Sequence, residues 1–307
     1  MSKKTVVVIG SSNIDLVAKC EHIPVTGQTL TGLDFFMTPG GKGANQAVAA
    51  AKLGAHVIFV ARLGKDIFAE KSLENFKSVN IATKHIVQLD AVSSGVALIA
   101  IDGSGRNIII VIPGANGQLT PADVTVARED IAAAGVVVCQ LEIPIESVET
   151  AAALAVEHHV PFILDPAPAR PLSSKLLSMV DVLKPNETEA QTLTGITVSD
   201  KESAAAAADR LLAQGVKNVV ITLGEKGALL AGQDGREFIP GQIVKAVDTT
   251  AAGDAFTGAL AFSLANGSSL REAAAYASSV AALSVQKFGA QSSMPTKTEA
   301  DAFINRQ

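Results

Sequence analysis

The chain has 307 residues, 48% of them hydrophobic and 18% charged, with a net charge of −5. That is enough for one large α/β domain, or one with a small appendage, and too apolar for a disordered chain. The acidic balance offers no basic surface to nucleic acid, and Cys20 and Cys139, far apart and in no CxxC unit, suit a reducing compartment.

Lys3 and Lys4 precede the apolar run Val6 to Ile9, which is too short for a signal-peptide core and reads as a buried first strand over 5–10. From Asp15 to Met37 there is no helical period, and Pro24 and Gly27 separate two extended pieces. The pattern then predicts a helix over 44–53, a strand over 56–64 and a helix over 67–79. Apolar runs between 95 and 111 flank Asp102-Gly103-Ser104-Gly105, which reads as a hairpin. Helices are expected at 122–134, 145–158, 187–193 and 202–214, and strands at 135–142, 160–166, 180–186 and 218–224. A second hairpin is expected around Asp234-Gly235, then helices over 253–264 and 270–285 and from about Thr298. The stretch Ala273 to Gln286 falls short of the ~20 residues a membrane helix needs, so a soluble, cytoplasmic protein is expected.

Strand, helix, strand in series implies right-handed crossovers and a three-layer α/β/α domain around a mostly parallel sheet. Ligands of such sheets collect at the carboxyl ends of the strands. Residues 14–39 and 95–111 break that rhythm and are expected to form a small separate sheet; the domain proper takes 1–13, 40–94 and 112–307.

Four segments carry chemistry. In Asp-Thr-Thr-Ala-Ala-Gly-Asp (248–254), small residues open an uncharged helix, so the N–H groups of Ala251, Ala252 and Gly253 present an anion site. Asp254, inside that first turn, is either an acid complementing the helix dipole or a base for a nucleophile attacking phosphate. Gly-Gly-Lys-Gly-Ala-Asn (40–45) lets backbone approach a ligand, with Lys42 and Asn45 as donors, or is simply a glycine turn before a helix. It is not a Walker loop, because Gly43 stands where Ser or Thr is required. Asn13 and Asp15 close the first strand, as sugar-hydroxyl partners or as an Asx turn. Asn186 and Glu189 open a helix after a strand, as a cap or as holders of water around Mg²⁺. Thr222, Gly224 and Gly227 give room for a nucleotide or form a plain turn, and Asp165 to Arg170 reads as a rigid structural loop. No histidine or cysteine pair has zinc spacing, GxSxG is absent, and no GxGxxG follows the first strand.

Taken together and in this order, GSSNIDL (10–16), GGKGANQAVAAAKLGA (40–55), SSGVALI (93–99), QLEIP (140–144), DPAPAR (165–170), PNETEA (185–190), TLGEKGA (222–228) and DTTAAGDAFTGA (248–259) resemble the sugar-kinase family of ribokinases, fructokinases and adenosine kinases. The likeness covers nearly the whole chain. GGKGANQAVAA and QLE lie closest to the ribokinase branch. Two departures stand out: Ala251 replaces the first glycine of the usual DTTGAGD, and Asp165 stands where ribokinases often carry Asn. The alanine keeps an N–H, so the anion site is expected to survive if φ there stays negative.

The resemblance implies ATP-dependent phosphorylation of D-ribose at the 5-hydroxyl, with Asp254 as general base and Ala251, Ala252 and Gly253 as the anion hole. It implies sugar contacts at Asn13, Asp15, Gly41, Lys42, Gly43, Asn45 and Glu142. ATP is expected beside Asn186, Glu189, Thr222, Gly224, Gly227 and Ser278, with Mg²⁺ accompanying it. A K⁺ site is implied at Asp248, Thr250, Ser284, Lys287, Gly289 and Ser293, several through backbone carbonyls. The small sheet would be a lid over the sugar and the clasp of a homodimer. Alternatives are a kinase for 2-deoxyribose, fructose or a nucleoside, a non-catalytic sugar or nucleotide sensor, and, weakest, a hydride-transfer enzyme.

Overall fold

The structure, a computed structural model, describes residues 5–306, so Lys3 and Lys4 lie outside it. Its thirteen strands are β1 (Thr5–Ile9), β2 (Asn13–Lys19), β3 (Asp34–Gly40), β4 (His56–Gly64), β5 (Ala82–Leu89), β6 (Gly95–Ile101), β7 (Asn107–Ile112), β8 (Val136–Cys139), β9 (Phe162–Leu164), β10 (Val182–Leu183), β11 (Asn218–Thr222), β12 (Gly227–Gly232) and β13 (Gly235–Pro240). Nine form one sheet in the order β13-β12-β11-β10-β9-β8-β1-β4-β5, parallel from β11 through to β5 and antiparallel at the β11-β12-β13 edge.

Both faces of the sheet's central strands are buried, which is why these strands read as unbroken apolar runs. Side chains alternate between two cores. Val7, Ile9, Val137 and Cys139 face one, packed with helices over 121–133, 145–157 and 201–213. Val6, Val8, Val136 and Val138 face the other, packed with helices Lys42–Lys52, Ala252–Ala265 and Leu270–Ser284. The expected strands and hairpins are present. The expected helix over 122–134 is instead two short ones, Pro121–Val126 and Arg128–Ala133, meeting at Ala127. β5, at the sheet edge, is a strand the periodicity did not predict: only Ala82, Thr83, Ile86, Val87 and Leu89 favour it among polar neighbours, and none of its residues is fully buried.

The other four strands make a small sheet in the order β3-β2-β6-β7. Only three residues, Gly10 to Ser12, separate β1 of the large sheet from β2 of the small one, and Gly40 closes β3 just before the helix at Lys42. The carboxyl end of β1 is therefore the junction between the sheets. Among the described residues no helix is long and apolar enough to cross a membrane, and both cysteines are free and buried.

Candidate active site

Two helix N-termini meet at that junction, those of Lys42–Lys52 and Ala252–Ala265. The second helix is apolar on all sides and packs flat against the first. Gly258 permits the close approach: a Cβ there would lie 2.5 Å from Ala49 Cβ and 2.7 Å from Gln46 O. The first helix starts at Gly41, with φ of 87°, where a Cβ would collide with Asn13 N at 2.7 Å. Small residues in both helices thus bring 41–46 against 251–254.

Asp254 is buried between them. Asn45 Nδ2 donates to its Oδ2 at 2.9 Å and Gln46 Nε2 to its Oδ1 at 3.0 Å. Gln140 Nε2 donates to Gln46 Oε1 at 2.6 Å, and Gln291 Nε2 to Asn45 Oδ1 at 3.0 Å, so both amides are fixed by a second tier. Burial raises the proton affinity of Asp254; Lys42 opposes the shift, the neighbouring Asp165 charge adds to it, and the two amide donors oppose it. A raised carboxylate pKa is what proton abstraction near neutral pH needs.

The anion site differs from expectation in two ways. Ala251 has a φ of +59°, so the condition of a negative angle is not met and an alanine occupies the left-handed region that glycine enters freely. Ala252 N–H is already given to Thr249 O at 3.2 Å. Among the described residues, the N–H groups of Ala251 and Gly253 have no acceptor in the protein, and no side chain caps the helix. Those two donors and the helix dipole form the polarised end.

The residues expected around sugar lie on one side of Asp254. Ser11 Oγ and Lys42 N both donate to Glu142 Oε2, and Asn116 Nδ2 donates to Asn13 Oδ1 at 2.7 Å. Asp15, on β2, lies against Gly40, where a Cβ would meet its carboxylate at 2.4 Å. Its pKa is pushed up to about 6 by burial and then by the charges of Glu142 and Asp254. Burial works against the charge of Lys42, but Asp254, Asp165, Glu142 and Glu189 outweigh it and hold the ammonium above its ordinary range. Gly43 packs so closely on the β1 end that a Cβ would lie 2.6 Å from Ser11 N.

On the other side opens a cavity of about 950 Å³. Its wall contains Lys42, Asp254 and Gly253 together with Asn186, Glu189, Thr222, Gly224, Gly227 and Ser278, all six positions expected around nucleotide. Asn186 and Glu189 are also a reciprocal helix cap, Asn186 N to Glu189 Oε2 and Glu189 N to Asn186 Oδ1, both at 2.8 Å. The capping reading and the cavity reading therefore hold at once. Ser278 Oγ is buried in the cavity wall without a protein partner.

The expected cation residues divide. Asp248 Oδ1 accepts from Thr250 N and Oγ1 and its Oδ2 from Gly289 N, while Val247 N and Asp248 N both donate to Val285 O, so 247–250 and 285–289 are tied together. The hydroxyls of Ser284 and Ser293 are turned to Ala281 O and Ala290 O. The Lys287 ammonium pairs with Glu299 at 2.6 Å, so only its backbone is suited to a cation.

Sequence reasoning missed several members of the site. Asp165 is no part of a merely structural loop: it is 1% exposed and its Oδ2 accepts from Gln46 Nε2 at 2.8 Å and pairs with Lys184 Nζ at 3.1 Å. The signal that would have found both is their position, each a lone charge directly after an apolar strand. Gln46, Asn116 and Gln291 act by holding other groups of the site in place, and nothing in their local sequence marks them.

The chain matches the family model "pfkB family carbohydrate kinase" over residues 3–297. It is 41% identical to a ribokinase of Haemophilus influenzae, covering 98% of this chain and 99% of that one. It is 38% identical to a deoxyribokinase of Salmonella typhimurium, covering 98% of each. A solved structure of Arabidopsis thaliana ribokinase complexed with ribose and ATP superposes with a TM-score of 0.92 at 33% identity, over 99% of each chain.

Proposed function

The chain belongs to the pfkB family of carbohydrate kinases, and on that footing we propose that it transfers the terminal phosphoryl group of ATP to the 5-hydroxyl of D-ribose. One observation carries the reading: Asp254 stands where the 13–15 and 40–45 segments meet the large cavity, beside the unpartnered N–H groups of Ala251 and Gly253. Asp254 accepts the proton of the sugar's primary hydroxyl, and the oxygen attacks the γ-phosphorus in line as the bond to the β,γ-bridging oxygen breaks and ADP leaves. Phosphoryl transfer asks for positioning and charge stabilisation, which the two N–H groups and the helix dipole provide. Asn13, Asp15, Lys42, Asn45 and Glu142 orient the sugar.

Asn186 and Glu189, hard oxygen donors in the cavity wall, suit a Mg²⁺ held through water beside the ATP phosphates. Such an ion screens phosphate charge when bound. Asp248, whose oxygens are aimed by Thr250 and Gly289, suits a monovalent cation completed by backbone carbonyls of 284–293. That site lies on the loop leading to the Ala251 donor, so K⁺ there would brace the loop. The β2-β3-β6-β7 sheet is read as a lid over the sugar that also joins two copies of the chain, because its outward residues are apolar. Buried, free Cys20 and Cys139 suit the reducing cytoplasm.

The 2-deoxyribose reading has one specific support, the deoxyribokinase relative at 38% identity. An assay of ADP release with ribose, 2-deoxyribose, fructose and adenosine, in K⁺ and in Na⁺, decides among them. Ribose should give the highest kcat/KM, and K⁺ should exceed Na⁺. A higher kcat/KM for 2-deoxyribose would reassign the substrate, and indifference to the cation would remove the K⁺ site.

A further inference from the structure

The cavity holds a second buried ammonium, for which neither the sugar set nor the nucleotide set has a role. Lys184 follows β10 directly and is 3% exposed. Its Nζ lies 3.1 Å from Asp165 Oδ2 and 3.5 Å from Gly253 O, and its side chain is part of the cavity wall. Asp165 is in turn fixed: Oδ2 also accepts from Gln46 Nε2 at 2.8 Å and Thr257 Oγ1 at 3.3 Å. Its other oxygen, Oδ1, is buried with no partner in the protein.

A buried ion pair is a poor device for stability alone, since desolvation of both groups offsets most of their attraction. Here the pair sits at the polarised end of the cavity, against the carbonyl of Gly253, whose own N–H is one of the two unpartnered donors. An ammonium has three donors. Asp165 and Gly253 O take two, and the third is left for a ligand in the cavity. The surrounding acids, Asp165, Glu189 and Asp254, make the site costly for a polyanion unless cations answer them. Lys42 and Lys184 are the ammoniums among them.

We propose that Lys184, held by Asp165, is a phosphate-binding residue that contacts the terminal phosphoryl group of ATP. The inference rests on the kinase reading but is tested without the sugar.

The test is calorimetric binding of ADP and of a non-hydrolysable ATP analogue, both with Mg²⁺, to the wild type, Lys184→Gln, Asp165→Asn and the Asp165→Asn/Lys184→Gln double variant. Lys184→Gln should weaken the analogue by at least ~10-fold and ADP by less than ~2-fold, and the double variant should stay equally weak for the analogue. If Lys184 merely neutralises Asp165, the double variant, which buries no unpaired charge and so guards against simple misfolding, recovers wild-type affinity. That recovery, an equal loss on ADP and analogue, or no loss on either would overturn the proposal. Failure of the kinase reading shows separately, as wild-type protein that releases no ADP with any sugar.

Discussion

Asn45 donates to Asp254 Oδ2 at 2.9 Å and is itself gripped by Gln291, 246 residues further along the chain. The carboxylate is thus aimed by one helix while belonging to another, and its second oxygen is aimed by Gln46. Asp254→Asn should fold and bind both sugar and nucleotide, because amide and acid have the same shape. It should lose at least ~100-fold in kcat, the low end for removing a general base. Near-normal turnover in a coupled assay would exclude Asp254 as the base.

On the proposed reading, the charge on Asp15 bears on a different constant. With its pKa pushed up to about 6, Asp15 loses its negative charge as pH falls through that value. KM for the sugar should then rise on the acid side while KM for ATP changes little. Stability follows the opposite logic. Between the ordinary 3.8 and about 6 the folded protein holds this proton and the unfolded chain does not, so Asp15 makes the fold less stable as pH rises through that window. Asp15→Asn should therefore melt higher at neutral pH, by ~2 °C or more, while its KM for ribose rises steeply. A lower melting temperature would show that Asp15 is held by contacts rather than strained by burial.

Ala251 pays a local cost for its left-handed backbone, about 1–2 kcal/mol for a residue with a Cβ. Ala251→Gly relieves it, less the extra freedom glycine gives the unfolded chain. The net expectation is a gain of about 0.5–1 kcal/mol in chemical denaturation, with kcat within ~2-fold, since the N–H remains. Ala251→Val should do the reverse and reduce turnover. A destabilised glycine variant would mean that the Ala251 methyl group contributes more by packing than its backbone loses.

How much of this was legible depended on whether the signal was local. Val6 to Ile9 and its parallel neighbours announced themselves as buried strands because both their faces are covered. The positive φ at Ala251 is not legible because alanine gives no hint of a left-handed turn; only the surrounding loop imposes it. β5 escaped because an edge strand half open to solvent needs no unbroken apolar run. In the site, Asp254, Lys42 and Asn45 stood out on glycine-rich helix starts. Asp165 and Lys184 carried only the weaker mark of a charge directly after an apolar strand, and their partnership spans β9 and β10 and exists only once the sheet has formed.

β7 ends the small sheet and is exposed on both faces, with Ile108, Ile109, Ile110, Val111 and Ile112 all between 38% and 59% accessible. An edge strand of five consecutive large aliphatic residues is a pairing hazard unless something covers it. Phe35 and Met37 on β3 and Leu98 on β6 extend the apolar surface across the sheet. A second copy offering the same sheet would satisfy that surface symmetrically, as the dimer reading proposes. Ile110→Asp, at the most exposed of these five positions, should shift the sedimentation coefficient from dimer to monomer without lowering helix content. If the sheet is also the lid, KM for ribose should rise in the same variant, because a lid unsupported by its partner closes less completely. A wild-type protein that sediments as a monomer across micromolar concentrations would reject the pairing, and the lid would then have to shield the sugar alone.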